Sequence, residues 1–252
     1  MGVESIVLVN PGNDNTRVSV ANEGAYPHLG VISLGTAFQT WRPEIRVTVF
    51  DCQVTPLERA LHFIRTQKPA IVGISLHGTS FHNGMIVARA AKEIGAITIV
   101  GNDQAVGQAE YLLQNKNIDF ISAADVGEFA FLAFIDYVDG KIPQQSVPKL
   151  IYRTPQGMGR NTLSEFPKSC GSDMSKILDC IPIPNRNILP TENWETYKRN
   201  YLKSFGQFHP NGISGITTIN RARGCSRHKR ECLFCGIMDL SMRFSSPNVF
   251  WQ

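Results

Sequence analysis

The chain has 252 residues, a net charge of +4, 42% hydrophobic residues and 18% charged residues, which suits a globular protein of one large or two modest domains. No stretch reaches the roughly 18 apolar residues of a membrane span, and the first residues lack the pattern of a signal peptide. We therefore expect a cytoplasmic protein without membrane contact, whose six cysteines are metal ligands or free thiols rather than disulfides.

Predicted strands and helices alternate through residues 1–140. The predicted strands are Ser5–Asn10, Arg46–Phe50, Ala70–Ser75, Ala96–Val100 and Asp119–Ser122. The predicted helices are Leu29–Thr40, Pro56–Thr66 with Thr55 as N-cap, Phe81–Ile94, Gln104–Gln114 and Glu128–Val138. This alternation predicts an α/β fold with a Rossmann-like (flavodoxin-like) five-stranded parallel sheet and flanking helices.

Small or polar residues follow several of these strands, where a parallel sheet binds its ligands. They are Asn10, Pro11, Gly12, Asp51, Ser75, Leu76, His77, Gly101, Asn102, Gly127 and Glu128. Each glycine alone could simply shape a turn, but together they indicate a broad, flat ligand lying over the sheet. The Gly-x-Gly-x-x-Gly pattern of dinucleotide-binding proteins does not follow the first strand.

Residues 141–212 differ in character, because prolines gather there and periodicity fades. We interpret this region as an irregular connector with one short strand, Leu150–Arg153. Residues 213–252 form a third region, in which a strand, Gly215–Arg221, leads directly into a group of cysteines.

Three cysteines close together, Cys225, Cys232 and Cys235, form the strongest chemical signal. Three thiolates leave one position of an iron–sulfur cluster open for a small molecule. A structural zinc site needs a fourth protein ligand, which His228 could supply. In that alternative, the basic residues around Cys225 would bind nucleic acid.

The order of these features resembles the cobalamin-dependent radical SAM family. Asn10-Pro11-Gly12 is similar to that family's Asn-Pro-Pro, and Arg223-Gly224-Cys225 is similar to the start of its cysteine motif. The other similar segments are His28-Leu29-Gly30, Val72-Gly73-Ile74-Ser75, Val100-Gly101-Asn102-Asp103 at the family's Gly-Gly, Asp125-Val126-Gly127-Glu128 and the connector Ile181–Pro190.

The resemblance implies three cofactors: cobalamin, a 4Fe-4S cluster and S-adenosyl-L-methionine (SAM). Cys225, Cys232 and Cys235 would hold the iron–sulfur cluster, and Phe234 and Gly236 would contact SAM. The strand-end residues Asn10, Pro11, Gly12, Ser75, Leu76, His77, Gly101, Asn102, Gly127 and Glu128 would contact cobalamin. The implied reaction is radical-based methylation or rearrangement of a small-molecule or peptide substrate.

The chain also departs from the family pattern. Six residues separate Cys225 from Cys232 where the family usually has three, and Asp51-Cys52-Gln53 lacks the histidine that ligates cobalt in many cobalamin proteins. Most of the radical SAM barrel is missing, so we expect little activity from this chain alone unless another chain supplies the remaining strands. A non-catalytic cobalamin carrier or sensor is the other alternative, and a nucleic-acid partner is disfavoured. Cys52, Cys170 and Cys180 are isolated in sequence, and we interpret them as ordinary core or surface residues.

Overall fold

The computed structural model describes residues 2–13, 24–225 and 241–252. The strands are β1 (Ser5–Asn10), β2 (Arg46–Asp51), β3 (Ile71–Ser75), β4 (Ile97–Gly101), β5 (Phe120–Ser122), β6 (Leu150–Thr154), β7 (Gly157–Arg160), β8 (Ala222–Arg223) and β9 (Arg243–Phe244). The helices are α1 (Leu29–Trp41), α2 (Leu57–Gln67), α3 (Phe81–Glu93), α4 (Asp103–Gly107), α5 (Ala109–Gln114), α6 (Gly127–Val138), α7 (Thr191–Phe205) and α8 (Pro247–Phe250). No helix in these ranges is long and apolar enough to cross a membrane.

The α/β fold with a mostly parallel sheet is confirmed. β1 pairs in parallel with β2 and β3, and β4 pairs in parallel with β5. The sheet has seven strands in the order β2-β1-β3-β4-β5-β6-β7, because an antiparallel hairpin of β6 and β7 extends the five predicted strands. Each of the five lies within one residue of its predicted bounds.

Several predicted elements differ from the structure. The helix expected over Gln104–Gln114 is divided into α4 and α5 at Gln108, directly after Gly107, a residue that disfavours helix by about 1 kcal/mol relative to alanine. Thr55 is not an N-cap: Pro56 holds that position, and the Thr55 hydroxyl donates to Asn193 Oδ1 at 3.2 Å. The region expected to be an irregular connector also contains a 15-residue helix, α7.

The strand expected over Gly215–Arg221 does not form. In the part of the chain that the structure describes, positions 215–221 belong to no strand, and the guanidinium of Arg186 donates to Thr218 O at 2.7 Å and to Thr217 Oγ1 at 3.3 Å. The Arg186 side chain thus binds the Thr218 carbonyl, to which a neighbouring strand would otherwise donate. The strand that does form here is β8, whose two residues pair with β9.

The chain divides into two compact units. The first unit comprises Glu4–Thr98 and Pro184–Ile219, and the second is built on Ile99–Ile183 and Asn220–Gln252. In the first unit, β1 lies between β2 and β3, and the side chains from Ile6 to Val9 are at most 1% exposed. Such continuous burial is typical of a parallel strand covered on both faces.

In the second unit, Arg153 of β6 ties the sheet to the end of α5. Its guanidinium donates to the carbonyls of Leu113 at 2.6 Å and Asn115 at 2.7 Å, and also to the carbonyl of Ile118. The last carbonyls of a helix lack intrahelical partners, and a cation there also matches the helix dipole.

The carboxylate of Asp51, at the end of β2, organises the strand ends of the first unit. Asn10 Nδ2 and Gln53 N donate to its Oδ1 at 2.8 and 3.1 Å. His28 N and Tyr197 Oη donate to its Oδ2 at 3.0 and 2.5 Å. Asp51 is fully buried, and these four donors replace the water that a buried carboxylate loses. Through Tyr197, the same carboxylate holds α7.

We expect Tyr197→Phe to lower the free energy of unfolding by about 1–3 kcal/mol, because a buried carboxylate oxygen loses one of its donors. The pKa of Tyr197 is raised by burial and by Asp51, so the hydroxyl keeps the proton that it donates. Urea denaturation measures the change. The control is Tyr201→Phe, which removes a half-buried hydroxyl from the same helix, bonded to His209 at 3.0 Å, and should cost less. Equal losses in the two variants would contradict this role of Asp51.

Backbone strain marks the end of β4. Asn102 has φ 86° and ψ 162°, a conformation that is essentially restricted to glycine and costs other residues about 1–3 kcal/mol. Its Oδ1 accepts a hydrogen bond from Asp103 N at 2.7 Å at the start of α4. The side chain caps the helix while the backbone stays strained.

We expect Asn102→Gly to keep or raise the stability, since glycine adopts this conformation without strain. Asn102→Ala should lower the free energy of unfolding by about 1–2 kcal/mol, because alanine keeps the strain and loses the cap. Urea midpoints of the two variants measured side by side provide the test. An alanine variant as stable as the glycine variant would show that position 102 is not strained.

Candidate functional site

Two histidines and a serine lie together at the strand ends of the first unit. His28 Nε2 is 3.0 Å from His77 Nε2 and 3.3 Å from Ser75 Oγ. The two rings pack edge to face, with centroids 5.3 Å apart. Two imidazole nitrogens at this distance share one proton, so one ring donates and the other accepts. The structure thus brings predicted residues Ser75 and His77 together with His28, which the sequence analysis noted only as part of a family-like segment.

Both rings of this pair are neutral at physiological pH. Burial lowers the pKa of His28, an effect that the nearby Asp51 carboxylate only partly offsets. Burial also lowers the pKa of His77, to about 4, and His28 lowers it further. His28 Nδ1 is buried and makes no hydrogen bond with the described residues. The site therefore offers uncharged polar groups rather than cations.

The segment after β1 passes very close to the backbone of the loop after β2. Gly12 has φ 71°, and a Cβ there would lie 2.4 Å from Cys52 O. Asn83 of α3 donates to Asn13 O at 3.0 Å and holds the same segment. Gly12 is therefore required by the packing of the loops that follow β1 and β2. Its contact with a cofactor stays a prediction, as do those of Asn10, whose amide binds Asp51, and Pro11.

Leu76 serves the packing of the sheet. Its side chain is fully buried, and its Cδ1 occupies the space where a Cβ on Gly84 would lie, 2.4 Å away. The side chain therefore fills the interface between the end of β3 and α3. Only the backbone of Leu76 therefore remains available for the predicted contact with cobalamin.

The second unit contains the other predicted strand-end residues. Gly101 ends β4 in open surroundings, because the nearest heavy atom to a Cβ placed there is Ser122 O at 4.0 Å. Asn102 follows in its glycine-like conformation. Open space and a strained backbone at a strand end suit the close approach of a ligand.

Glu128, in the first turn of α6, is part of a buried ion pair. Arg223 Nη1 and Nη2 donate to its two carboxylate oxygens at 2.9 and 2.7 Å, in a bidentate arrangement. The Glu128 side chain is 2% exposed and that of Arg223 is 20% exposed. Burial alone would lower the pKa of Arg223, but the charge of Glu128, its hydrogen bonds and the charge of Asp125 together outweigh burial and raise the pKa. The carboxylate predicted to contact cobalamin is thus bound to Arg223, while Gly127 precedes it as the first residue of α6.

This ion pair lies two residues before the first cysteine of the motif. Arg223 belongs to β8, which pairs with β9, and Gly224 follows with φ 94°. A Cβ on Gly224 would overlap Ser241 O, at 1.7 Å. Glycine is therefore the residue that this close approach requires. Three constraints, namely the ion pair, the strand pairing and the tight glycine, fix the backbone leading to Cys225.

A second buried arginine, Arg243, anchors β9, the strand that pairs with β8. Arg243 of β9 donates to Asp125 Oδ2 at 2.5 Å and to Glu165 Oε1 at 3.3 Å. Its guanidinium also lies 5.4 Å from the ring centroid of Phe166. The arginines on β8 and β9 thus each bind acidic residues of the second unit. No local pattern in the sequence indicates these pairs, because the partners are 78 to 118 residues apart in the chain.

The remaining predicted site residues, Cys232, Phe234, Cys235 and Gly236, lie outside the described residues, as does His228 of the zinc alternative. Within residues 2–13, 24–225 and 241–252, no three histidine, cysteine or acidic side chains are grouped so that they could hold a metal ion. Of the cysteine motif, the structure therefore describes Cys225 and the backbone that leads to it.

A scan against protein-family models gave no match, and a search of curated proteins gave no match. Solved structures do match. The cobalamin-dependent S-adenosylmethionine radical enzyme OxsB, with aqua-cobalamin bound, has a TM-score of 0.66 and 19% identity over 96% of this chain and 30% of OxsB.

The radical S-adenosylmethionine methyltransferase TsrM from Kitasatospora setae, with cobalamin and a [4Fe-4S] cluster bound, also matches with a TM-score of 0.66. It is 15% identical, and the match covers 100% of this chain and 46% of TsrM. The chain therefore spans less than half the length of either enzyme. It has the fold of a part of cobalamin-dependent radical SAM enzymes, as the sequence resemblance predicted.

Proposed function

We propose that this chain is the cobalamin-binding and 4Fe-4S cluster-binding front portion of a cobalamin-dependent radical SAM enzyme. The observation that carries the proposal is the fold match over 96–100% of the chain to OxsB and TsrM, whose structures contain cobalamin. The fixed backbone before Cys225 supports it, because a cluster ligand must be held in position. The rest of the barrel, from the same polypeptide or another, would supply the walls around SAM and the substrate.

Cys225, Cys232 and Cys235 would hold the iron–sulfur cluster, and Phe234 and Gly236 would contact SAM. Thiolates suit this role, since iron–sulfur clusters are held by cysteine sulfur. Such a cluster supplies the electron that cleaves SAM reductively. The described residues would have a positioning role. Glu128 binds Arg223, and Arg223 and Gly224 fix the backbone that leads to Cys225.

Cobalamin would lie against the strand ends. In the first unit, Ser75 and His77 offer neutral hydrogen-bonding groups, which suit the amide side chains around a corrin ring. In the second unit, the open space at Gly101 leaves room for a bulky ligand. His77 Nε2 is already bonded to His28, so we propose that His77 gives cobalt no ligand.

Anaerobic reconstitution with iron and sulfide tests the cluster. We expect the full chain to take up iron and sulfide and to become brown and sensitive to oxygen. Alanine at Cys225, Cys232 or Cys235 should abolish this, because each removal breaks the three-point anchor. Cys52→Ala is the control, since burial first, and then Asp51 and Glu58, raise the pKa of its thiol to about 12. Stoichiometric zinc without iron, lost in His228→Ala, would instead establish the zinc module.

The ion pair makes a second prediction. Arg223→Lys keeps the charge but loses the bidentate geometry, so we expect the reconstituted protein to bind less iron while remaining folded. Glu128→Gln leaves a buried arginine without its counter-charge and should cost about 3 kcal/mol of stability. Glu110→Gln, at an exposed position of α5, is the matched control. Full iron content in Arg223→Lys would show that the pair does not position Cys225.

Cobalamin binding is tested by titrating the full chain with hydroxocobalamin. Ser75→Leu and Gly101→Leu should each weaken binding at least ~10-fold, which corresponds to about 1.4 kcal/mol, by crowding the ligand. Gly107→Leu is the control, because it adds the same side chain to another glycine with open surroundings. His77→Ala should leave the spectrum of bound cobalt unchanged. If both leucine variants bound cobalamin as tightly as the unaltered chain, the binding site would have to lie elsewhere. If the unaltered chain bound no cobalamin, the proposed cobalamin site would be wrong, and the domain would be an α/β scaffold without this function.

A further inference from the structure

The first turn of α1 has hydrogen-bond donors that no other group uses. In the described part of the chain, no side chain caps this helix, and its first turn contains no acidic residue. The first amides of a helix have no carbonyl partner within it. Among the described residues, no acceptor outside α1 binds the amides of Leu29, Gly30 or Val31. Because Gly30 is exposed, a ligand can reach its amide.

A buried nitrogen lies beside these donors. His28 is the N-cap residue of α1, and its Nδ1 makes no hydrogen bond with the described residues. A Cβ on Gly30 would lie 3.1 Å from His28 Cε1 and 3.5 Å from His28 Nδ1, so this edge of the ring faces the first turn of the helix. The other edge is occupied, because Nε2 is 3.0 Å from His77 Nε2 and 3.3 Å from Ser75 Oγ. A further partner of the His28 ring therefore has to bind at Nδ1.

The start of α1 already has a negative charge beside it. Asp51 Oδ2 accepts a hydrogen bond from His28 N at 3.0 Å, which is the favourable position of a carboxylate at a helix start. A second anion there would be repelled by Asp51. The rings of His28 and His77 are neutral and offer no compensating charge. The site thus favours a neutral group that both accepts and donates a hydrogen bond, as a primary carboxamide does.

We propose that the first turn of α1 and His28 Nδ1 together bind a primary carboxamide, one of those at the rim of cobalamin. This inference rests on the proposed cobalamin binding and assigns one contact within it. The amide oxygen accepts from Gly30 N, and the amide nitrogen donates to His28 Nδ1. Because Gly30 places no side chain over this edge, a small rotation of the His28 ring presents Nδ1 to the ligand. His28 then carries its proton on Nε2 and donates it to His77 Nε2.

Cobalamin analogues test the contact. The full chain is titrated with hydroxocobalamin and with the separate isomers in which one rim carboxamide is replaced by a methyl ester, which accepts a hydrogen bond but has no N–H. We expect at least one isomer to bind ~10-fold more weakly, because a buried acceptor loses its donor. Equal binding by every isomer would overturn the inference and leave the proposed function intact. If hydroxocobalamin itself did not bind, both would be wrong.

The free acid of the weakened isomer distinguishes a carboxamide site from an anion site. Its carboxylate would face Asp51 without an N–H to donate, so we expect it to bind no more tightly than the ester. Tighter binding of the acid would contradict the proposal.

Variants of the chain identify the residue that recognises the amide. His28→Phe keeps a ring but removes both nitrogens, so the variant should no longer distinguish the amide from the ester of the weakened isomer. Gly30→Ala places a methyl group against the His28 ring and should reduce this discrimination several-fold, while alanine favours the helix and preserves the fold. Gly107→Ala, at a glycine with open surroundings, is the matched control and should retain the discrimination. Full discrimination in both His28→Phe and Gly30→Ala would overturn the proposal.

Nitrogen NMR of the unaltered chain, labelled at its histidine rings, gives a readout that does not depend on any variant. In the cobalamin complex, His28 Nδ1 should be the unprotonated nitrogen and Nε2 the protonated one. The Nδ1 signal should change when the weakened ester isomer replaces cobalamin. His62, exposed on α2, is the internal control and should keep its signals. A proton on His28 Nδ1 in the cobalamin complex would refute the proposed contact.

Discussion

The buried carboxylate of Asp51 is the interaction on which the first unit depends. Four donors, from two strand-end loops, the segment before α1 and helix α7, converge on its two oxygens. A buried carboxylate is tolerated only when such bonds replace its hydration, so every loop that contacts it is fixed by the same requirement. The neutral histidine pair lies beside this centre, and its geometry follows from the backbone of His28, which Asp51 holds.

In the second unit, buried carboxylates are stabilised by ion pairs. Glu128 and Glu165 are buried, and an arginine from each strand of the β8–β9 pair binds one of them. Two residues on each strand are too few for a stable ladder alone, so the charged side chains and the tight contact at Gly224 complete the pairing. The chain thus reaches Cys225 from a firmly held start, which suits the proposed role of that cysteine.

The sequence predicted the α/β alternation well, because β1 to β5 are short apolar runs closed by turn residues. It did not predict α7, although Trp194, Tyr197, Tyr201 and Phe205 recur at helical spacing, because the prolines around this segment indicated an irregular connector. The false strand at Gly215–Arg221 has the right composition, but long-range bonds from Arg186 decide its structure. Three of the four donors to Asp51, and the Arg223 partner of Glu128, are 23 to 146 residues away in the chain, so only the fold reveals them.

The β8–β9 pair has a consequence for how the cysteine motif can vary in length. Arg223 and Arg243 are paired partners, so the ends of the segment between them are fixed regardless of what it contains. Closing a loop costs only about 0.6 kcal/mol more for each doubling of its length. The β8–β9 pair therefore tolerates changes in the number of residues between its two strands.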